Sequence, residues 1–177
     1  MATTKWAVDP THSEVVFKIK HLMISTVTGR FNEFSATAET ASPDDFNTAS
    51  NIEFSANIAS IDTKNEQRDA HLKSDDFFNA EKYPQLKFAG KKLTLNGSEG
   101  KLEGDLTIRE TTKPLTLNVE YGGIVTDPYG QTKAGFTLTG KIKRKEFGLS
   151  WDAVTEAGNV VVSDEIKLQV EVQFVKQ

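Results

Sequence analysis

The chain has no cysteine and no long apolar run, and each absence excludes a class of protein. Without cysteine in 177 residues, disulfide bonds, thiolate catalysis and cysteine-ligated zinc are excluded. No run of residues is apolar over the length needed to span a membrane as a helix. The first residues, MATTKWAVDP, contain no apolar segment of a secretory signal. We therefore expect a cytoplasmic protein, or a periplasmic or secreted one if a leader has been removed.

The chain also lacks a strong excess of charge of either sign. It carries 21 Lys and Arg against 25 Asp and Glu, for a net charge of −4, and the basic residues are spread along the sequence. No electrostatic footprint for a polyanion results, so we expect no nucleic-acid partner. With 37% hydrophobic and 26% charged residues, the composition is typical of a folded protein, and the length fits one domain over residues 1–177.

What the sequence does contain is alternation of apolar and polar residues, which predicts half-buried β-strands. Residues 160–175 place Ile166, Leu168, Val170, Val172 and Phe174 on one face and charged or amide side chains on the other. Similar runs occur near residues 15–19, 52–58, 101–109, 115–121 and 133–143. We count about eight strands, several of them longer than the usual strand of about 5–6 residues.

Turn sequences between these runs indicate how the strands connect. Asn-Gly-Ser at 96–98, Asp-Pro-Tyr-Gly at 127–130 and Gly-Asn at 158–159 favour hairpins between antiparallel neighbours. Apolar parity flips between Phe31 and Phe34 and again near Gly90, which predicts bulges. Because closure removes exposed strand edges, we predict an all-β fold, an elongated eight-stranded antiparallel up-and-down barrel. A sandwich with a filled core is the alternative.

The apolar parity also predicts which side chains point into the barrel. An eight-stranded barrel is about wide enough to be filled by side chains or to hold one slender ligand. Small residues on the inward parity at Ala56, Gly104, Ala134 and Gly140 favour a pore. The predicted pore residues are Phe17, Ile19, His21, Phe31, Phe54, Ile58, Leu106, Ile108, Leu117, Val119, Phe136, Leu138, Ile142, Leu168, Val170 and Val172.

The three histidines do not form a metal-binding pattern. His12 and His21 have opposite parity and would lie on opposite faces of a strand. His71 could join one of them only with a nearby carboxylate, and no His-x-His spacing is present. No Gly-x-Ser-x-Gly elbow exists either. We expect no metal, no cofactor and no catalytic residue.

Residues 63–84 are the one segment without alternation, and we predict a helical insert over about 64–80. Thr63 and Glu66 form a capping box for a helix over 64–73. Ser74 would cap a second helical turn over 75–80, and Tyr83-Pro84 would end it. We expect this insert to cover the barrel mouth. Its predicted head-group and lid residues are Arg68, Asp69, His71, Leu72, Phe77 and Phe78. Alternatively, its polar residues pair with each other and with loop backbone.

Sequence blocks across the chain resemble those of the YceI family. The blocks are WAVDPTHS at 6–13, FKIKH at 17–21, VTGRF at 27–31, IDTKNEQRDAHL at 61–72, DFF at 76–78, YP at 83–84, GDLTIR at 104–109, TKP at 112–114 and IKRKEFG at 142–148. Glu110, and Val162 to Glu165, depart from the residues common in the family, and both departures are expected in turns or at strand ends.

The resemblance implies a lipocalin-like barrel that binds a polyisoprenoid or similar long-chain amphiphile in its pore without catalysis. Expected ligands are an isoprenoid quinone, a prenyl phosphate or a fatty amphiphile, and a carrier of such a lipid would contact membranes transiently. Two alternatives stay open. One is an enzyme acting on such a lipid with His21 or His71 as general base, and the other is a stress-response interaction module with a filled core. The sequence does not indicate an oligomeric state.

Overall fold

The computed structural model describes residues 3–22, 24–149 and 162–177. The strands are β1 (Thr4–Val8), β2 (Glu14–His21), β3 (Ser25–Phe31), β4 (Phe34–Ser42), β5 (Asp45–Asn57), β6 (Ile61–Asp62), β7 (Gln85–Asn96), β8 (Glu99–Ile108), β9 (Thr111–Thr126), β10 (Thr132–Lys143) and β11 (Val162–Lys176). Helix α1 spans Glu66–Lys73, and short 3₁₀ turns cover Pro10–His12, Ile58–Ser60 and Arg144–Phe147. Among the described residues, no helix has the length and apolar character needed to cross a membrane.

The strands close into one antiparallel barrel. The ring runs β1-β4-β5-β7-β8-β9-β10-β11 and returns to β1. Along most of its length β11 pairs with β2, and at its C-terminal end it pairs with β1. Because β2 continues from β1 and β3 leads into β4, each of these pairs acts as one long interrupted strand. The prediction of an eight-stranded antiparallel barrel with a short helical insert is confirmed.

Two irregularities fall where the apolar parity changes. The β7–β8 register shifts between Gly90 and Lys92, as predicted. Between Phe31 and Phe34 the strand is interrupted, so the parity flip there marks a break between β3 and β4.

A third interruption, at Pro10–His12, is capped by Asp9, whose side chain accepts from the Thr11 amide. The hydrogen bond with His12, at 2.7 Å, is the main cause that lowers the pKa of Asp9 to about 2.

The two ends of the barrel differ. The turns β4–β5, β7–β8 and β9–β10 lie at one end, which we call the hairpin end. The predicted turns at 96–98 and 127–130 are found there, with Gly97 at φ 67° and Gly130 at φ 82°. Residues 58–84 and the turns β2–β3 and β8–β9 lie at the opposite end, which we call the insert end. The predicted turn at 158–159 lies outside the described residues.

An aromatic cluster fills the hairpin end. It consists of Trp6, Phe46, Tyr121, Phe136 and Phe174, and we call it the aromatic plug. Ring centroids are 4.8 Å apart for Trp6–Phe46, 4.9 Å for Phe46–Phe136 and 5.0 Å for Tyr121–Phe136. The Trp6 indole N–H donates to Thr40 Oγ1 at 3.2 Å, so its polar atom is satisfied in the core.

The small inward residues do not leave the room that we expected. A Cβ on Gly104 would lie 2.4 Å from the Ala89 carbonyl oxygen and 2.6 Å from Phe88 Cζ. A Cβ on Gly140 would lie 2.6 Å from Leu117 Cδ2. Ala56 and Ala134 are fully buried. The expectation was wrong because neighbouring strands and side chains occupy the space that the missing side-chain atoms release.

The close approach at Gly104 gives a stability prediction. In Gly104→Ala the new methyl group meets a backbone oxygen that cannot move without disturbing the β7–β8 pairing, so we expect a loss of about 1–3 kcal/mol in the free energy of unfolding. Gly135→Ala is the matched control, because a methyl group at this position would have no heavy atom within 4 Å; we expect a change within about 0.5 kcal/mol. Chemical denaturation measures both. Equal stability of the two variants would contradict the close approach.

Candidate functional site

The helical insert folds differently in detail from the sequence prediction. Asn65, not Thr63, is the N-cap of α1, and its side chain accepts from the Arg68 amide at 3.0 Å. The helix therefore begins at Glu66 rather than at residue 64. Ser74 is the C-cap of α1, and residues 75–78 form turns instead of a second helix. Asn65 competes successfully for the cap because asparagine is at least as good an N-cap as threonine.

Thr63 does not cap the helix but anchors the start of the insert. It is 4% exposed, and both its amide and its hydroxyl donate to Asp69 Oδ1. Arg68 Nε donates to Thr63 Oγ1 at 2.8 Å, and Arg68 Nη2 donates to the Thr63 carbonyl oxygen at 2.6 Å. The alternative interpretation, in which the polar residues of the insert pair with each other and with loop backbone, therefore describes Asp69, part of Arg68, and His71, whose Nε2 lies 2.9 Å from Asp76 Oδ2.

Arg109, in the β8–β9 turn, ties the second half of the insert to the barrel. Its Nη1 donates to the carbonyl oxygens of Asp75 and Phe77 at 3.2 and 3.1 Å. Its Nη2 lies 3.2 Å from Asp75 Oδ1, and its guanidinium lies 5.7 Å from the centroid of the Tyr83 ring. These contacts hold Phe77 and Phe78, which are 6% and 8% exposed, against the end of the barrel.

A cavity of about 360 Å³ lies inside the barrel. This volume is at the lower end of the range of about 300–1,000 Å³ for small-molecule sites. Thirteen of the predicted pore residues line it: Phe17, Ile19, His21, Phe31, Phe54, Leu106, Ile108, Leu117, Leu138, Ile142, Leu168, Val170 and Val172. Five insert residues, Arg68, His71, Leu72, Phe77 and Phe78, line it as well. The insert therefore forms part of the cavity wall.

Four predicted site residues lie away from this cavity. Ile58 is buried in the 3₁₀ turn before β6, where its amide donates to the Pro84 carbonyl oxygen. Val119 pairs with Leu138 and is buried in the wall of the barrel near the hairpin end. Phe136 belongs to the aromatic plug, and Asp69 faces Thr63. Parity predicts that a side chain points inward, but it does not predict at which positions along the barrel axis side chains fill the interior.

Sequence reasoning missed several lining residues. Leu102, Ile166 and Phe174 have the inward parity, so the same rule could have found them. Val15, Val16, Val27, Ala36, Ile52, Leu86, Phe88, Leu115, Leu149 and Val162 also line the cavity. Thr63 and Arg144 were missed because they are polar. Glu53 and Lys20 also border the cavity, but both are exposed and alternate with inward residues of their strands, so their charged groups face outward.

The polar lining side chains gather at the insert end. His71 Nε2 lies 2.9 Å from Asp76 Oδ2. Arg144 is 1% exposed and donates to the carbonyl oxygens of residues 149, 162 and 163. Arg68 and Arg144 thus place two guanidinium groups at the insert end of an otherwise apolar cavity. In residues 3–22, 24–149 and 162–177, no group of three or more His, Asp or Glu side chains is arranged to hold a metal ion.

A closed antiparallel barrel with an apolar cavity along its interior and polar groups at one end is the architecture of lipocalin-like binding proteins. The described cavity has this form. The YceI-like domain model matches residues 6–174, and the chain belongs to this family. The resemblance noted in the sequence blocks is confirmed.

Relatives and solved structures support the assignment. A UPF0312 protein of Staphylococcus aureus is 37% identical over 174 residues, which cover 97% of each chain. The crystal structure of a Campylobacter jejuni YceI protein has a TM-score of 0.75 at 37% identity and covers 89% of this chain and 90% of its own. A polyisoprenoid-binding domain from Saccharophagus degradans has the same fold, with a TM-score of 0.69 at 14% identity over 97% of this chain and 98% of its own.

The contacts of Arg109 predict that the insert can be loosened without unfolding the barrel. Arg109→Met removes hydrogen bonds from a charged donor to two insert carbonyls, each worth about 1.5–3 kcal/mol. We expect amide hydrogen exchange in residues 75–83 to quicken by at least tenfold, while β9 and β10 keep their protection.

Lys101→Met is the control for this measurement, because Lys101 is an exposed residue of β8 far from the insert. It should leave exchange in the insert unchanged. Unchanged exchange in Arg109→Met, or an equal increase over the whole barrel, would show that Arg109 does not hold the insert.

Proposed function

We propose that this protein binds a polyisoprenoid or similar long-chain amphiphile inside the barrel, without catalysis, and stores or carries it. An isoprenoid quinone or a prenyl phosphate has the required form, a slender apolar chain with one polar head. The observation that carries the proposal is the apolar cavity of about 360 Å³ enclosed by the strands. The same cavity argues against an interaction module with a filled core.

The polarity of the cavity indicates how such a ligand would lie. The apolar wall suits a hydrocarbon chain, and the aromatic plug closes the hairpin end. Arg68 and Arg144 stand at the insert end, where they favour a phosphate, a carboxylate or a carbonyl oxygen as the polar head. We therefore propose that the head lies beside the insert and that the chain points towards the plug.

The energetics are compatible with a carrier that takes its ligand from a membrane. Burial of a chain from water gains about 0.8 kcal/mol per methylene. A chain that leaves a bilayer is already in an apolar environment, so most of this gain is cancelled and the complex can release its ligand. Transient contact with a membrane surface would then accompany loading and unloading.

The comparison with the Saccharophagus degradans domain adds support at the level of the fold. That protein is described as a polyisoprenoid-binding domain, and it shares the barrel architecture with this chain. Because its identity is 14%, the likeness alone does not carry the ligand over. It supports the proposal through the shared barrel architecture.

Organic extraction of the purified protein followed by mass spectrometry tests this proposal. We expect a co-purified hydrophobic molecule, or, after delipidation, stoichiometric binding of geranylgeraniol in native mass spectrometry. A delipidated protein that binds neither geranylgeraniol nor a fatty acid would refute the proposal. Phe54→Lys, which introduces a charge into the cavity wall, is the matched negative control for the binding measurement.

The cationic insert end predicts a specific effect on head-group preference. Arg68→Ala and His71→Ala should weaken binding of geranylgeranyl phosphate by about tenfold, because each variant removes a polar partner beside the head, and should change the affinity for geranylgeraniol by less than twofold. Arg68 also binds Thr63, so Arg68→Ala is expected to lower the melting temperature slightly. Equal losses for both ligands, with a large fall in melting temperature, would show that these residues have a structural role only.

A further inference from the structure

The cavity is closed at the hairpin end, and this closure limits the length of the chain that the cavity can hold. The proposed function does not include such a limit. Phe46 and Phe136 form the centre of the aromatic plug. Both are buried, at 3% and 7% exposed, and their ring centroids are 4.9 Å apart in an edge-to-face contact. Tyr121 stacks on Phe136 at 5.0 Å, and Phe174 contacts it edge-on at 6.0 Å. A chain entering from the insert end therefore meets packed aromatic rings.

A second, smaller void lies against the plug. It has a volume of about 40 Å³, and every residue lining it is apolar: Ala38, Phe46, Ala49, Ile52, Leu93, Leu102, Phe136, Leu138, Val172 and Phe174. Five of these residues, Ile52, Leu102, Leu138, Val172 and Phe174, also line the large cavity. The two spaces therefore share a wall, and the void continues the direction of the cavity towards the hairpin end.

Strand positions agree with this arrangement. Phe136 and Leu138 are two residues apart on β10 and point to the same side of the strand, and Val172 is the neighbour of Phe136 on β11. Leu138 and Val172 line both spaces, whereas Phe136 lines only the smaller one. The aromatic plug therefore begins about one layer of side chains beyond the end of the large cavity.

We propose that the aromatic plug is a chain-length stop, with Phe46 and Phe136 as its specificity-determining residues. The inference rests on the proposed binding of a chain in the cavity. A chain that ends short of the plug leaves apolar wall uncovered, and a longer chain must either leave methylenes outside the insert end or displace packed rings. Affinity should rise with chain length until the chain tip reaches the plug, and then stop rising.

A series of saturated fatty acids tests the stop with defined probes. Lauric, myristic, palmitic, stearic and arachidic acids differ by two methylenes at each step, and their affinities for the delipidated protein can be measured by isothermal titration calorimetry below micelle-forming concentrations. Each methylene that enters the cavity should improve affinity by about fourfold. For the unchanged protein we expect a steep rise followed by a plateau.

Phe136→Leu and Phe46→Leu test which residues set the position of the plateau. Each variant keeps an apolar side chain but removes ring volume beside the small void, so we expect the plateau to move to an acid at least two methylenes longer. Affinities for acids shorter than the original limit should change by less than threefold. Two variants are used because either one alone can lose stability, and thermal unfolding identifies which of them to interpret.

Phe147→Leu is the matched control. Phe147 is 3% exposed in the turn Arg144–Phe147 and lines neither space, so the same loss of volume should leave the plateau in place. A plateau that stays unmoved in the folded plug variants, or affinity that rises through the whole series in the unchanged protein, would overturn the stop while leaving chain binding intact. If neither the acids nor geranylgeraniol binds, the proposed function fails and the stop fails with it.

Discussion

The whole arrangement depends on how β11 closes the ring. This strand pairs with β10 along one edge, and along the other it pairs first with β2 and then with β1. The 3₁₀ turn at Pro10–His12 lies at the change of partner, and Asp9 caps it. Because β11 serves both partners, the barrel closes at the hairpin end through β1 and β4 while β2 and β3 extend beyond the ring at the insert end. Beside β3, the short strand β6 pairs with Arg30 and Phe31, and the insert follows from it.

This closure makes the two ends unequal. At the hairpin end all eight strands of the ring are present and large aromatic side chains meet, so the interior is filled. At the insert end the wall is partly made of α1 and the turns that follow it. Helix α1 has no buried residue; Thr63 anchors it through Asp69 and Arg68, and Arg109 holds the turns that follow it. A region held by a few hydrogen bonds opens more easily than a strand within a sheet. The geometry thus places the most rigid packing where a chain would end and the most easily opened segment where it would enter.

Much of the fold could be predicted from the sequence because the inner face of each strand is apolar and the outer face is polar. Alternation identified most strands, and the parity flip near Gly90 identified the bulge that the structure contains. Alternation could not show where the interior is open. Phe136 and Leu138 have the same parity and similar surroundings in sequence, yet one belongs to the plug and the other lines the cavity, because the difference comes from aromatic residues on distant strands. Gly104 and Gly140 were misleading for the same reason, since their neighbours fill the space above them.

The polar end of the cavity was harder to predict. Thr63 and Glu66 match a capping box, but Asn65 provides the cap and Thr63 binds Asp69 and Arg68 instead. The burial of Arg144 could not be predicted, because in the sequence a basic residue between Lys143 and Lys145 cannot be distinguished from an exposed, solvated one. Its burial depends on backbone carbonyls from the start of β11, 18 and 19 residues further along the chain.

A crystal structure of the protein mixed with geranylgeraniol tests the account most directly. The account predicts electron density for the chain inside the barrel, with its hydroxyl beside Arg68 and its tail against the aromatic plug. Side chains that meet across the middle of the barrel, with the ligand on the outer surface, would contradict it.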